Sequence, residues 1–502
     1  METMSQYLKV SSAQGIGGKV MTVLKNIFIF IRTFLGWLPK IICYYLLVVF
    51  IAMLIPAFFR EEMTDGWKAE DNRLAQRLRS TQERVLSIDD YKDAEYWRYK
   101  IVSQATDKID MVNFNYRKDM GGLTFTSVLM EAADRGVKVR LIVDGTSLLD
   151  AGNLYTLMNS HPNIDVKIYN PVYPLMPWIG TYRMHEKFII IDDEIYLLGG
   201  RNQNSLFVGE YDDVSRKNRD RDILVYEWDK DTHNSLMDVE EYFEEFWAMD
   251  DVKMTKSYSE RNSKDWKKYK NFVGQMSTMR DELMERMPDA FTSVNWFEET
   301  LVADRVDFIR GDTKAYNKAP IVYNRLLERM KNGKDIIVET PYIILNSNHY
   351  QDLTDLESMD GVHVKYLTNS PETGANLFGS SEQRFKRKAA LSTGSDLYEH
   401  IGPQSQHTKT VLIDDRLSIV GTFNYDMRSI YLDTESMVCV DSPELNAILR
   451  QQAKEKIDSS RQILMNGSVK YGVNCKESRI SIIKGVMLDF IHITMYPFRR
   501  LM

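Results

Sequence analysis

Two stretches of the chain carry the same set of polar residues at the same spacing. In each, a histidine is followed by a lysine two residues on, an aspartate seven on, a glycine fourteen on and an asparagine seventeen on. One histidine–x–lysine arises readily by chance in a chain with eight histidines, but this repetition of five residue types does not. The two sets are His185, Lys187, Asp192, Gly199 and Asn202, and His407, Lys409, Asp414, Gly421 and Asn424.

The repeated residues have the chemistry needed to handle a phosphate group. Alternate residues of a strand project to one face, so each histidine would lie beside its lysine. A neutral imidazole can attack phosphorus or accept a proton, and the ammonium neutralises a phosphate oxygen. The glycines permit close backbone approach, and the asparagine amide can donate to the same phosphate. Two such sets brought together predict one phosphodiester site that needs no metal ion and no other cofactor.

The aspartates and the other histidines have alternative explanations. Asp192 and Asp414 stand where a turn should return the chain between two strands, so a role in the turn is favoured over contact with substrate. Both stay among the candidate catalytic residues. The remaining histidines are not followed by the same spaced residues, which favours surface or packing roles. They are His161, His233, His349, His363, His400 and His492.

Strands alternating with helices are predicted around each set, which is the pattern of an α/β fold. The order of elements in the first half is repeated in the second, so an internal duplication is the economical interpretation. Gly136 is predicted to end a helix. The predicted elements are strands 109–115 and 137–144, helix 124–135 and strand pair 188–198, then strands 335–339 and 362–367, a helix near 350–358 and strand pair 410–420.

Composition restricts the class of protein. The 502 residues are 44% hydrophobic and 27% charged, which is ordinary globular usage. The net charge of −7 argues against a nucleic-acid partner but allows an anionic lipid held by a local cluster. Cys43, Cys439 and Cys475 have no disulfide or zinc spacing.

The predicted segments are 1–62, an interfacial helix plus a transmembrane segment; 85–233, a first lobe; 234–304, a helical insertion without assigned chemistry; 305–470, a second lobe; and 471–502, an amphipathic segment.

The amino-terminal region contains a predicted membrane helix. Residues 41–59 form 19 positions without a formal charge, bounded by Lys40 and Arg60. A helix of that length approximately spans a hydrocarbon core of about 30 Å. A buried core helix and a cleaved signal peptide are the alternatives, but the run is too long for a signal sequence and has no clear cleavage site. A retained membrane helix is therefore favoured.

The residues before this span allow two topologies. Residues 20–38 are apolar except for Lys25 and Arg32, which share a helical face, as in an interfacial helix. A two-helix hairpin with its turn at 36–40 is the competing interpretation. The excess of basic residues keeps the amino terminus in the cytoplasm, so one span would place the rest outside and a hairpin would return it to the cytoplasm.

Two other segments suggest contact with lipid. Residues 480–493 place most of their apolar side chains on one side, which predicts a helix on the membrane or, equally well, a terminal helix packed on the core. A basic cluster could hold a lipid headgroup, although a solvated helix face is the favoured interpretation. The cluster consists of Arg384, Lys386, Arg387 and Lys388.

The repeated set resembles the signature of the phospholipase D superfamily, H-x-K-x4-D followed by G-[GST]-x-N. The resemblance covers most of residues 85–470 and is closer to the bacterial cardiolipin synthase branch. Gln406, before the second histidine, departs from the apolar residue that relatives often carry there. The segments that carry the closer resemblance are Gly199–Asn202, Gly421–Ser429 with Leu432 and Glu435, Thr340–Tyr342 and Leu367–Ser370.

The resemblance implies a fold and a mechanism. The fold is two similar phospholipase D-like lobes, each a mixed sheet flanked by helices, with one active site between them. His185 is expected to attack the phosphodiester and form a phosphohistidine, while His407 acts as acid and base. Acidic residues orient the histidines, and the candidates are Asp220, with Asp222 as a rival, and Glu435. Asn202 and Asn424 would bind the phosphate.

The resemblance also implies a reaction at a bacterial cell membrane. A phosphatidyl group would be moved onto phosphatidylglycerol, with phosphatidylglycerol or another lipid such as phosphatidylethanolamine as donor. Water as acceptor would instead give a phospholipase D hydrolase. A phosphodiester nuclease and a non-catalytic lipid-binding scaffold are further alternatives; the acidic charge opposes the first, and two intact motifs oppose the second. The oligomeric state and the membrane side are left open.

Overall fold

The computed structural model describes most of the chain and contains two lobes that each hold a large sheet. The lobes follow a long amino-terminal helix. The described residues are 2–55, 66, 83–171, 173, 175–230, 232–314, 316 and 318–501.

The amino-terminal helix, α1, runs without a break from Glu2 to Leu54 and contains Pro39. Residues 25–54 of α1 have a mean hydropathy of 2.1 over their most apolar window and are exposed, so by length and composition this stretch can cross a membrane. The alternative of a two-helix hairpin is not observed, because one helix passes through residues 36–40. Gly36 and Pro39 lie within this stretch, and the helix accommodates both. The expected end of the span, near residue 59, lies outside the described residues.

The first lobe is built on a nine-stranded mixed sheet in the order β10-β1-β8-β6-β5-β2-β3-β4-β9. Strands β2, β3 and β4 are parallel, and the remaining neighbours are antiparallel. Residues 234–304 contribute helices and also two of the edge strands, β9 and β10. The strands are β1 (Arg84–Ile88), β2 (Lys108–Asn113), β3 (Lys138–Asp144), β4 (Ile164–Tyr169), β5 (Lys187–Ile191), β6 (Ile195–Gly199), the separate β7 (Asn218–Arg219), β8 (Asp222–Tyr226), β9 (Val252–Met254) and β10 (Leu301–Val302).

The second lobe has strand order β11-β20-β18-β17-β12-β14-β15-β21-β22, in which the first eight strands repeat the topology of β1-β8-β6-β5-β2-β3-β4-β9. The parallel trio is now β12, β14 and β15. The matching strand order confirms the predicted duplication. The strands are β11 (Arg305–Arg310), β12 (Asp335–Glu339), β13 (Ile343–Ile344), β14 (His363–Asn369), β15 (Asp396–His400), β16 (Ser405–Gln406), β17 (Thr410–Ile413), β18 (Leu417–Gly421), β19 (Tyr425–Asp426), β20 (Ser436–Asp441), β21 (Ser460–Ile463) and β22 (Val469–Tyr471).

Helices cover the outer face of each sheet and close its core. Gly136 has φ of +105°, a conformation that favours glycine, and it ends a helix as predicted. The helices after α1 are α2 (Tyr91–Gln104), α3 (Met120–Asp134), α4 (Leu148–Ala151), α5 (Leu154–Met158), α6 (Ser235–Ala248), α7 (Ser263–Arg286), α8 (Trp296–Glu299), α9 (Ile321–Lys331), α10 (Ser347–Glu357), α11 (Leu377–Leu391), α12 (Met427–Tyr431), α13 (Pro443–Asp458) and α14 (Ile482–Thr494).

The inner faces of the two sheets share one apolar core. It joins side chains of β5 and β6 to those of β17, β18 and β20, with α6 and α13 beside them. Burial of this apolar surface holds the lobes together. The amino ends of β5 and β17, which follow the two histidines of the repeated sets, are thereby brought to one interface. Representative core residues are Phe188, Ile190 and Leu198 from the first lobe and Leu412, Val420 and Val438 from the second.

Candidate active site

Each of the two motif histidines is bound through its backbone to the opposite lobe. The amide nitrogen of His407 donates to the Arg219 carbonyl at 2.8 Å, beside the parallel pairing of β16 with β7. The amide nitrogen of His185 donates to the Thr434 carbonyl at 3.2 Å, beside a parallel bridge between Met184 and Thr434. The same backbone hydrogen bond between the lobes therefore occurs twice, and the two copies are related by the pseudo-twofold arrangement of the lobes.

Each imidazole also contacts a carboxylate from the other lobe. His185 Nδ1 lies 3.0 Å from Glu435 Oε1, and His407 Nδ1 lies 2.5 Å from Asp220 Oδ2. Each acid directly follows the residue whose carbonyl accepts the histidine amide, so one short segment fixes both backbone and ring. Since Nδ1 is engaged in both rings, Nε2 is left for chemistry. The rival Asp222 instead pairs with Arg98 and Arg201.

Aromatic side chains hold the two rings from the side. Phe114 packs edge-on against His185, and Phe207 packs edge-on against His407, each with ring centroids 5.0 Å apart. Such contacts restrict rotation of the imidazoles about their side-chain bonds. Ring orientation is therefore fixed by both a carboxylate and an aromatic neighbour.

The two motif lysines are buried beside the histidines. Lys187 Nζ donates to the His185 carbonyl, and Lys409 Nζ donates to the His407 carbonyl and lies 3.1 Å from His407 Nε2. Burial lowers the pKa of Lys187 to about 7, although Glu435 opposes the shift. Burial likewise lowers the pKa of Lys409 to about 8, opposed by Asp220. A bound anion would restore the charge of both lysines.

Burial also keeps the two histidines neutral. It lowers the pKa of His407 to about 4, with help from Lys409 and against the attraction of Asp220. Burial with Lys187 and Lys409 holds the pKa of His185 well below its usual range. A neutral imidazole carries the free electron pair that attack on phosphorus requires.

The carboxylates of the two pairs differ in their surroundings. Burial raises the pKa of Glu435 to about 8, against the lowering effect of Lys187. Although burial also acts on Asp220, the charges of His407 and Lys409 lower its pKa. Asp220 is therefore the ionised partner, whereas burial moves both His185 and Glu435 toward their neutral forms. The two histidines are not equivalent.

The motif asparagines reach the same edge of the sheets. Asn202 follows β6, whose carboxyl end lies beside the start of β5, and Asn424 follows β18 in the same relation to β17. Both side chains are buried, and the side-chain oxygen of each has no hydrogen-bond partner among the described residues. Buried amide oxygens normally find partners, so the hydrogen-bonding capacity of these two side chains is not used up within the described residues.

The motif aspartates lie at the other end of the hairpins. Asp192 and Asp414 have φ of +49° and +50° at the turns after β5 and β17. Asp192 accepts from the backbone nitrogens of residues 106–108, and Asp414 accepts from those of residues 334 and 335. Five strand residues separate Asp192 from the site, which is about 17 Å. The structure does not bring these aspartates to the histidines.

Two further residues position the motif segments, a role that the sequence did not predict for either of them. The Asp144 carboxylate accepts from the Met184 amide at 2.9 Å and from Arg183. The Asn369 side chain accepts from the Gln406 amide at 2.7 Å and donates to its carbonyl at 2.6 Å. Both residues end the middle strand of a parallel trio, where polar side chains commonly face a site. This position was the signal that could have identified them.

Gln406, the departure from the family pattern, is buried in this arrangement. Its backbone is held by Asn369, and its side-chain nitrogen donates to Thr408. The polar side chain thus bonds within the motif, and the strand that carries His407 is intact.

Lys318 is a further buried cation near the site. Its Nζ has no hydrogen-bond partner among the described residues. Burial lowers the pKa of Lys318 to about 8, while Asp433, Glu186 and Glu435 are among the acids that oppose the shift. No motif surrounds Lys318, so only the fold could place it beside these carboxylates.

The predicted basic cluster is partly neutralised. Arg384 pairs with Asp489 at 2.8 Å, and Arg387 pairs with Glu399. Their charges therefore hold α11 to its neighbours. Within the described part of the chain, no group of three or more histidine, cysteine or acidic side chains is arranged to hold a metal ion.

Comparison with known families agrees with this geometry. The model of the family described as cardiolipin synthase, phospholipase D-like domain, matches residues 99–247 and 326–457. The chain belongs to this family. The two matched segments contain both histidine motifs and both carboxylate partners. Membership supports a phospholipid-modifying enzyme.

Relatives share the family at low identity. The chain is 24% identical over 421 residues to cardiolipin synthase C of Escherichia coli K12, covering 76% of this chain and 86% of that protein. It is 25% identical over 421 residues to an uncharacterized protein of Helicobacter pylori J99, covering 76% and 80%. The phosphatidylserine synthase structure from Haemophilus influenzae Rd KW20 aligns with a TM-score of 0.57 at 14% identity, over 87% of this chain and 99% of that one, which shows a shared fold.

Proposed function

We propose that this protein is a cardiolipin synthase-like phosphatidyltransferase that moves a phosphatidyl group onto phosphatidylglycerol. The observation that carries the proposal is the reciprocal pairing of two imidazoles, one buried and one partly buried, with carboxylates of the opposite lobe, beside two buried lysines. Such a site has a nucleophile, a proton carrier and charge stabilisation for one phosphodiester. Family membership directs this chemistry to phospholipids.

In the first step, Nε2 of His185 attacks the phosphorus of a donor lipid and forms a phosphorus–nitrogen bond. The bond to the headgroup oxygen breaks, and His407 gives that oxygen a proton, so the headgroup leaves as a neutral alcohol. The phosphate anion raises the pKa of His407 from its low value in the free site, which allows His407 to carry this proton. Asp220 stabilises the charged imidazole.

In the second step, a glycerol hydroxyl of phosphatidylglycerol displaces His185 from phosphorus. His407 takes the hydroxyl proton, so the histidines return to their starting states and the product is cardiolipin. Lys187, Lys409 and the two motif asparagines stabilise the phosphate oxygens during both displacements. Phosphatidylglycerol and phosphatidylethanolamine are the candidate donors, and α1 keeps the site beside them.

A lipid assay with the full-length protein tests the proposal. Vesicles of phosphatidylglycerol alone, without nucleotide, should yield cardiolipin and free glycerol; vesicles that also contain phosphatidylethanolamine should release ethanolamine if that lipid is a donor. His185→Ala and His407→Ala should each abolish product, whereas His363→Ala, a half-exposed histidine paired with Asp396, should not. Phosphatidic acid as the sole product would overturn the transferase in favour of a hydrolase. Unchanged product in both motif variants would refute the mechanism.

A further inference from the structure

An apolar cavity of about 470 Å³ lies between the membrane helix and the second lobe. This volume falls within the range of small-molecule sites, about 300–1000 Å³. One wall is Met53 of α1, and the opposite wall includes Ile344 and Phe378. Met495 and Phe498, which follow α14, close a third side. The cavity therefore forms only where α1 and the carboxyl terminus meet the catalytic lobe.

Helix α14 lies beside this cavity with its polar side toward the protein and its apolar side outward. Its polar side docks on α11, through Asp489 to Arg384 at 2.8 Å and His492 to Glu382 at 2.7 Å. Its apolar side faces outward, with Ile482 86% exposed. A helix that pairs its charged side chains with a neighbouring helix and exposes its aliphatic side chains fits a lipid environment. The other exposed apolar residues of this face are Ile483, Val486, Phe490 and Ile493.

The same side of the molecule includes α1. The Phe50 ring of α1 packs edge-on against Phe498 at 5.3 Å, and Tyr45 donates to the Leu175 carbonyl at 3.0 Å. Leu175 is 77% exposed and adds to the apolar surface. Because α1 is the described helix long enough to cross a bilayer, α14 and the Leu175 loop lie at the level of the lipid.

The polar lining residues of the cavity lie near the histidine pair, since Asp426 is close enough to Lys409 and Glu435 for their charges to interact. Arg428 lines the cavity and binds Asp433 at 2.8 Å and the Thr181 carbonyl at 2.7 Å. Asp433 is two residues before Glu435, which holds His185. Asp426 and Tyr342, which are hydrogen-bonded to each other, complete this polar end. The cavity is thus apolar toward the membrane and polar toward the reacting phosphate.

We propose that this cavity binds an acyl chain of the phospholipid whose phosphate reaches His185. The proposal rests on the proposed function and adds the element that selects the substrate by its chain. A lipid enters between α1 and α14, its chain fills the apolar cavity, and its headgroup crosses the polar end. Since apolar burial scales with the chain length enclosed, the cavity favours long-chain lipids over water-soluble short-chain analogues.

Photolabelling tests occupancy without requiring turnover. The full-length protein in vesicles is irradiated with phosphatidylglycerol that carries a diazirine near the end of one acyl chain. Labelled peptides are then identified by mass spectrometry. Label on Ile344, which lines the cavity and is otherwise buried, is expected in wild type and in His185→Ala alike. Label confined to α1 and to the outward Ile482 and Ile483 would overturn the proposal, because it would show bilayer contact alone.

Two matched variants test selection of the chain. Met495→Trp narrows the cavity and should lower kcat/KM for long-chain lipid by about tenfold, with short-chain phosphatidylglycerol unaffected. Met487→Trp, which changes the outward side of α14, should leave both substrates unchanged. Equal losses on both substrates, or none, would contradict the acyl-chain site. If wild type labels at Ile344 and turns over neither lipid, the proposed reaction fails while the binding site stands.

Discussion

At the scale of single residues, the histidines and lysines of the site carry little positive charge until a phosphate binds. Burial keeps both histidines neutral and brings the pKa of Lys187 to about 7 and that of Lys409 to about 8. Placing two fully charged lysines beside two imidazolium ions would be unfavourable at low dielectric. The substrate anion supplies the missing negative charge, so binding and activation are coupled.

The pH dependence of kcat/KM should show this coupling. A lysine with a lowered pKa loses its positive charge as pH rises, so attraction for the phosphate should fall from about pH 6 to about pH 9. The lipid phosphodiester stays ionised over this range, and loss of the proton that His407 must carry in the first step adds to the same decline. Initial rates on vesicles at several pH values measure the profile. Lys187→Arg should move the decline to higher pH, and a flat wild-type profile would contradict the explanation.

At the scale of elements, the ends of the parallel strands position the motif histidines. Asp144 ends β3 and holds the Met184 backbone, while Asn369 ends β14 and holds Gln406. The two residues occupy equivalent places in the duplicated sheets but differ in type. Strand periodicity predicted these strands well, since their alternating and buried apolar residues are local signals. The contacts of their last residues depend on a partner about 40 positions away and leave no local signal.

Asn369→Leu tests this positioning role. The variant removes the hydrogen bonds to the Gln406 backbone and should let His407 shift, lowering kcat about 100-fold with little change in KM. Steady-state lipid turnover gives both constants, and circular dichroism checks the fold. Asn332→Ala, at the exposed end of α9, is the matched control and should retain wild-type kcat. An unchanged kcat in Asn369→Leu would show that Asn369 does not position His407.

At the scale of the whole molecule, the lobes are joined by buried charges as well as by the shared core. Arg221 is fully buried and binds Glu339 of the second lobe at 2.7 Å, Asp89 of the first lobe at 2.7 Å and Gln452. Lys456 also binds Glu339. Removal of one member of such a network leaves a buried charge without compensation.

Arg221→Met should therefore lower the free energy of unfolding by about 3–5 kcal/mol. Arg416→Met removes an exposed pair with Asp304 and Asp441 and should change stability little, because solvent screens such pairs. Thermal unfolding of the full-length proteins in detergent, followed by circular dichroism, compares the two. Similar unfolding temperatures for both variants would mean that the interlobe network contributes little to stability.

The sequence by itself determined the duplicated α/β organisation, the two phosphate-handling motifs and the apolar amino-terminal helix, because each depends on spacing along the chain. It also named Asp220 and Glu435 through family resemblance. The local pattern also favoured turns at Asp192 and Asp414, which the structure shows. Only the tertiary structure decided which carboxylate meets which histidine, and it added roles for Asp144, Asn369 and Lys318. It also showed that the apolar side of α14 faces outward. These features depend on how two sheets pack, and contacts between distant segments are set by that packing and not by local pattern.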